Sequence, residues 1–124
     1  MKVISPRVHG YFDFLIAVIF LLAPKLLVLG MLPAILAYGF ATVHLIVTLI
    51  SDFPFGIVKL IPFTIHGWIE RIVGPLLIGM PFILNFSNEE TARNFYIAIG
   101  IIIFVISLFT DYQAEERNRE TKST

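Results

Sequence analysis

The sequence predicts an all-α integral membrane protein, a four-helix bundle built from two tandem two-helix hairpin repeats. Three observations lead there. First, hydrophobic residues make up 57% of the 124 residues and charged residues only 15%, against about 25% charged in soluble domains. Mean hydropathy is +0.87, and a soluble domain this small has too little interior to hide so much apolar side chain. Second, the apolar residues gather into four runs of about the 20 residues that a helix needs to cross a ~30 Å hydrocarbon core. Third, a polar pentapeptide at the edge of the first run, His9-Gly10-Tyr11-Phe12-Asp13, returns 57 residues later as His66-Gly67-Trp68-Ile69-Glu70.

The runs cover residues 10–29, 32–51, 67–84 and 95–109. Ser5-Pro6 predicts the first helix start, a capping serine followed by proline at the first helical position. Gly30 separates the first two runs. Ser87-Asn88-Glu89-Glu90 has the S-x-x-E form of a capping box before the fourth run. Pro24, Pro75 and Pro81 fall within or near the ends of their runs, where a membrane helix accommodates them. Residues 51–64, mostly apolar with Lys59, read as a short amphipathic segment along the membrane interface. After Tyr112 the chain turns polar and mixed in charge, the pattern of a solvated helical extension.

Four crossings place both ends of the chain on one side. That side holds Lys2, Arg7, Lys59, Arg71, Arg117, Arg119 and Lys122, and the other holds Lys25 and Arg93. The asymmetry predicts a multi-pass protein of the inner (plasma) membrane with both termini cytoplasmic. No cleavable signal peptide is expected, since the first run lacks a small-residue cleavage site near its end.

Aligning the two pentapeptides also aligns Ile4 with Ile61, Pro24 with Pro81 and Leu27 with Leu84. The segment 48–53, TLISDF, matches 107–112, SLFTDY, at a slightly different offset. The division that follows is a first hairpin over 1–60, a second over 61–112 and a polar tail over 113–124. Two crossings per unit make the copies parallel, related by a pseudo-two-fold axis along the membrane normal. The aromatic-x-acid elements Tyr11-Phe12-Asp13 and Trp68-Ile69-Glu70, with Ala23-Pro24-Lys25 and Met80-Pro81-Phe82 near the helix ends, resemble the SPW-repeat family of small bacterial membrane proteins. The resemblance covers about residues 4–112, and the proline is the literal match at both tripeptides. It implies the tandem-hairpin architecture and carries no activity.

The polar residues are few. His9 and Asp13 stand at i and i+4, on one helix face and about 6 Å apart along the axis; His66 and Glu70 repeat this. The topology puts His9, Asp13, His66, Glu70, Asp52 and Asp111 in one membrane layer. Asp52 and Asp111 end helices, where the dipole disfavours an anion, and the expected partners are Arg7 and His9 or Arg71 and His66. His44 lies about 12 Å deeper than Asp52 by helical spacing, with Thr48 on the same face.

Three readings follow. In the first, a non-enzymatic membrane protein uses the repeated His/acid cluster to clasp its hairpins or dock a partner, and Arg71 snorkels to the headgroups. In the second, a channel or transporter for an ion or small solute uses His44, Thr48, Asp52, Arg71 and Asp111 with the other acids. In the third, His9, Asp13, His66 and Glu70 hold a metal, or the two histidines a haem, in a membrane redox protein. Beyond those candidates no cofactor is indicated. The lipid bilayer is the expected partner, with a homo-oligomer or a membrane protein partner compatible with so small a unit. A net charge of zero gives no case for nucleic acid. The absence of cysteine excludes thiolate chemistry. No phosphate loop, nucleophile elbow or H-E-x-x-H motif occurs, and no enzyme activity is expected.

Overall fold

The computed structural model describes residues 2–123. Among them stand α1 (Pro6–Leu26), α2 (Met31–Leu49), α3 (Phe63–Ile83), α4 (Glu90–Phe109) and α5 (Ala114–Ser123), with β1 (Ser51–Asp52) and β2 (Ile61–Pro62) between α2 and α3. Three of these helices, α1, α2 and α4, are long and apolar enough to cross a membrane. The 21-residue α3 carries His66, Glu70 and Arg71 in its first half and falls outside that group.

Helix starts follow local chemistry. The Ser5 hydroxyl accepts from the Val8 N–H at 3.3 Å and Pro6 opens α1, as the Ser-Pro pair predicts. The expected capping box before α4 is absent. That helix begins at Glu90 behind Glu89, with no side-chain cap. Ser87 stays in the preceding turn, its carbonyl accepting from Arg93 Nη1 at 3.3 Å. The Glu89 carboxylate instead serves another helix, accepting from the Gly30 N–H at 3.0 Å at the start of α2, where the positive end of the dipole favours an anion.

Two helices end alike. Val28, after α1, and Asn85, after α3, take left-handed backbone conformations with φ of 52° and 66°. The next N–H turns back each time, Leu29 to the Pro24 carbonyl at 3.0 Å and Phe86 to the Pro81 carbonyl at 2.8 Å. A left-handed residue just past the last turn satisfies otherwise orphaned carbonyls.

Helix α1 packs along α2, and α3 along α4. Ile16, Phe20, Ala37, Ala41, Leu77, Tyr96 and Ile103 fill the space between the pairs. Gly74 and Gly100 let α3 and α4 approach closely: a Cβ on Gly100 would lie 2.6 Å from the Gly74 carbonyl oxygen. The pairs are cross-tied. The Tyr96 hydroxyl donates to the Pro33 carbonyl at 2.7 Å, joining α4 to the start of α2. At the other end Ile4 forms a parallel bridge with Thr110, and Ser51 pairs in parallel with Ile61. The starts of α1 and α3 therefore meet the ends of α4 and α2 at one end of the molecule. Large apolar side chains such as Leu22, Ile35, Ile46, Ile72 and Ile101 point outward, the surface that lipid covers in place of water.

The segment between the pairs does more than lie on a surface. Ile57, Val58 and Leu60 are exposed, as an interfacial segment requires, but Phe53 and Phe63 turn inward and pack with Tyr112 into a small second core.

Candidate metal centre

Under that aromatic cover lie the four residues of the repeated pentapeptides. His9, Asp13, His66 and Glu70 are all buried, at most 5% exposed. The i, i+4 spacing puts each His/acid pair on one face of its helix, and packing turns the two faces toward each other. One donor atom from each residue joins a group whose members all lie within 4.8 Å of one another. Around the ring, His9 Nε2 is 3.1 Å from Asp13 Oδ1 and 3.2 Å from Glu70 Oε2. His66 Nε2 is 3.3 Å from Asp13 Oδ2 and 3.4 Å from Glu70 Oε1. Nitrogens and oxygens alternate, and each carboxylate faces both imidazoles.

These contacts are close without being well-formed hydrogen bonds. His9 Nε2, His66 Nε2 and Asp13 Oδ1 are buried with no hydrogen-bond partner of acceptable geometry among the described residues. Two carboxylate oxygens flank each nitrogen, so neither lies on the axis along which an N–H would point.

The opposite edges of the imidazoles are well held. His9 Nδ1 sits 2.9 Å from the Thr110 hydroxyl and His66 Nδ1 sits 2.8 Å from the Ser51 hydroxyl. Both hydroxyls have their single proton engaged four residues back, Thr110 to the Ile106 carbonyl at 2.7 Å and Ser51 to the Val47 carbonyl at 2.6 Å. Each can only accept from the ring, which places the histidine proton on Nδ1. In the neutral imidazole Nε2 then presents a lone pair to the centre of the cluster.

The carboxylates have supports of their own. The Tyr112 hydroxyl donates to Glu70 Oε2 at 2.6 Å. Burial, and then the Glu70 charge, push the Tyr112 phenol well above its ordinary range, so it stays a donor. His44 Nε2 lies 3.2 Å from the Asp13 backbone carbonyl and 3.6 Å from Asp13 Oδ1. Both neighbours are acceptors, so this nitrogen carries a proton and braces Asp13 from α2. The Thr48 hydroxyl donates to the His44 carbonyl at 2.8 Å and lies 3.4 Å from Asp13 Oδ2. A cavity of about 50 Å³, walled by His44, His66, Glu70 and apolar side chains, lies between α2 and α3 beside the cluster.

Two sequence expectations are corrected. Asp52 and Asp111 do not pair with Arg7, Arg71 or the histidines; they stand outside the cluster and bind the arginines of α5. Arg119 holds Asp52, and Arg117 grips both oxygens of Asp111. Each arginine, by its hydrogen bond first, holds its carboxyl below the usual carboxylate range. The strand and turn following α2 and α4 carry these acids outward, while the residue just before each, Ser51 or Thr110, points in. Of the permeation candidates, His44 and Thr48 face Asp13, away from Asp52. Arg71 sits to one side, its guanidinium carbon 5.0 Å from the Trp68 ring and 5.7 Å from the Tyr112 ring. Arg7 is exposed.

Ser51, Thr110 and Tyr112 were not singled out as site residues from the sequence. The signal was present in the match of TLISDF to SLFTDY, which aligns Ser51 with Thr110 and Phe53 with Tyr112.

Comparison with protein-family models, curated proteins and solved structures returned no match.

Proposed function

We propose that this chain is a four-crossing membrane metalloprotein in which one divalent transition-metal ion, bound by His9, Asp13, His66 and Glu70, clasps two repeated hairpins together. The observation that carries the reading is the pair of buried Nε2 atoms aimed into the cluster without a hydrogen-bond partner among the described residues. With the rings neutral, their lone pairs face carboxylate oxygens, and a metal ion between these four acceptors would relieve the repulsion that ring protons otherwise relieve. Charge is compatible with it: with both imidazoles neutral the two carboxylates leave two negative charges, which a dication would cancel in place of two ring protons where uncompensated charge is costly.

Size fits as well. Metal bonds of about 2.0–2.1 Å to nitrogen and oxygen span tetrahedral edges of about 3.3–3.4 Å. Each imidazole has an oxygen of each carboxylate at 3.1–3.4 Å, through a different oxygen each time, and one donor from each residue lies within 4.8 Å of the others, so a small carboxylate rotation would close the set on an ion. Imidazole with carboxylate suits zinc, iron or manganese better than a thiolate-seeking ion. Four protein donors and near-complete burial favour a closed structural site over a catalytic one with an open position. The carboxylate oxygens fill the space between the imidazoles where a haem would have to lie, which favours a bare ion. The ring tautomers are preset by Thr110 and Ser51, the kind of outer support that metal-binding histidines use.

The four crossings rest on α3 packing along α4 over its length and on the recurrence at an offset of 57 of the His-Gly start, the proline carbonyl bond and the left-handed closing residue. On this reading the hairpins lie in 1–60 and 61–112, the arginine-rich end faces the cytoplasm, and the activity is non-enzymatic. Calorimetric titration of chelator-stripped protein in mild detergent with Zn²⁺ tests the site. One equivalent per chain is expected, lost in His66→Ala. Equal uptake by that variant contradicts it.

A second reading, permeation of an ion, is favoured by the cavity beside His44, His66 and Glu70. It predicts cation flux into liposomes that His44→Ala abolishes; the metal clasp predicts none.

A further inference from the structure

Outside the cluster, a cavity of about 380 Å³ opens where the first turns of α3 meet the end of α4. Its wall carries three cationic side chains, Lys2, Arg71 and Arg117, and one carboxylate, Asp111. Arg117 already neutralises Asp111, so the cavity keeps a positive excess from Lys2 and Arg71. The Arg71 guanidinium is held as a plate near the Trp68 and Tyr112 rings. Its Nε is buried with no hydrogen-bond partner among the described residues, and Nη2 reaches the Ser107 carbonyl only at 3.5 Å. The Nη end of the fork, held only by that long contact, is the part an oxyanion in the cavity would meet, planar or tetrahedral, through paired hydrogen bonds. Thr64 and Gln113 add neutral hydrogen-bonding groups to the wall.

The surroundings select the kind of anion. Trp68, 58% exposed, stands at the cavity edge, and Ile65 and Ile72 continue an exposed apolar strip on α3. A free phosphate has no use for that strip, whereas an acyl chain leaving the cavity would lie along it. We propose that this cavity seats the phosphate of an anionic phospholipid, held by Arg71 and Lys2, with Trp68 at the boundary between headgroup and chain. The end of the molecule that carries it also carries most of the lysines and arginines, which is the end an anionic leaflet attracts. The cavity shares Thr110 and Tyr112 with the outer supports of the metal cluster, but none of the four metal donors lines it, so lipid retention and metal uptake test the two proposals separately.

The test is native mass spectrometry of the full chain in mild detergent with equal amounts of phosphatidylglycerol and phosphatidylcholine. A one-to-one phosphatidylglycerol adduct that outlasts the phosphatidylcholine adduct is expected, with that preference lost in Arg71→Gln and weakened in Lys2→Gln. The exposed Lys2 variant keeps the test decisive if Arg71→Gln does not fold. Equal retention of the two lipids, or an undiminished preference in both variants, overturns the proposal. Displacement of the lipid by millimolar inorganic phosphate, itself bound in an Arg71-dependent way, assigns the cavity to free phosphate and also overturns it.

Discussion

His9 Nδ1 lies 2.9 Å from the hydroxyl of Thr110, a residue 101 positions further along the chain. The bond ties the first turn of α1 to the residue after α4, and the Ile4–Thr110 bridge runs beside it. Its counterpart ties His66 to Ser51 after α2, beside the Ser51–Ile61 pairing. Each histidine is thus aimed by the hairpin to which it does not belong, and the cluster exists only when both hairpins are in place.

The two hydroxyls orient the rings without touching the cluster's centre. Thr110→Val and Ser51→Ala should each leave all four donors present yet weaken Zn²⁺ binding by about 10–100-fold, the usual cost of losing an outer-shell partner. Competition against a chromophoric chelator measures this. Unchanged affinity in both variants would show that the tautomer is not set by these contacts.

Val28 and Asn85 do the same conformational job with unequal chemistry. Asparagine tolerates the left-handed region, while a β-branched valine does not. Val28 is 85% exposed and has little packing to lose. Val28→Asn should raise stability by about 1 kcal/mol, and Asn85→Val should lower it by a similar amount. Thermal melts in one detergent, compared with wild type, read both, and a destabilised Val28→Asn would contradict the backbone argument.

The close approach of α3 and α4 depends on Gly100. A methyl there meets the Gly74 carbonyl and Ile78, and backbone cannot step aside as a flexible side chain can. Gly100→Ala should cost about 1–3 kcal/mol, whereas Gly39→Ala, where an added Cβ meets nothing within 4 Å, should be harmless to packing. Melting temperatures of the pair decide it.

Helix α5 is latched to the rest of the protein by Asp52–Arg119 and Asp111–Arg117. Both acids have folded-state values below the ordinary 3.8, so their contribution is present above that value and is lost as pH falls through the lower folded value. The latch should hold unchanged across neutral pH and weaken below about pH 4, and also in high salt because the arginines are exposed. Hydrogen exchange should show residues 114–123 opening faster in Arg119→Gln with no change in α1–α4. Protection that is insensitive to both salt and the substitution would refute it.

Much of this was legible in the chain. Four long helices follow from the length and polarity of the runs, and the site from His9/Asp13 and His66/Glu70, because i, i+4 spacing fixes which face a pair shares. Less legible was anything that depends on which way the backbone turns after a helix. Asp52 and Ser51 are adjacent, and only the parallel strand pairing with Ile61 sends one outward and the other in. The same turn separates Asp111 from Thr110. The capping box failed for a related reason: Glu89 had a use across the molecule, at Gly30, that no local pattern contains. Nothing local marks Tyr112, yet close packing against Gly67 brings its hydroxyl to Glu70.

The most direct measurement is the metal content of the protein purified in mild detergent without chelator, compared with a His9→Ala/His66→Ala double variant. About one equivalent of a divalent transition metal per wild-type chain, absent from the variant, is the predicted result. Metal-free wild-type protein that also takes up none on incubation with Zn²⁺, Fe²⁺ or Mn²⁺ would contradict the account.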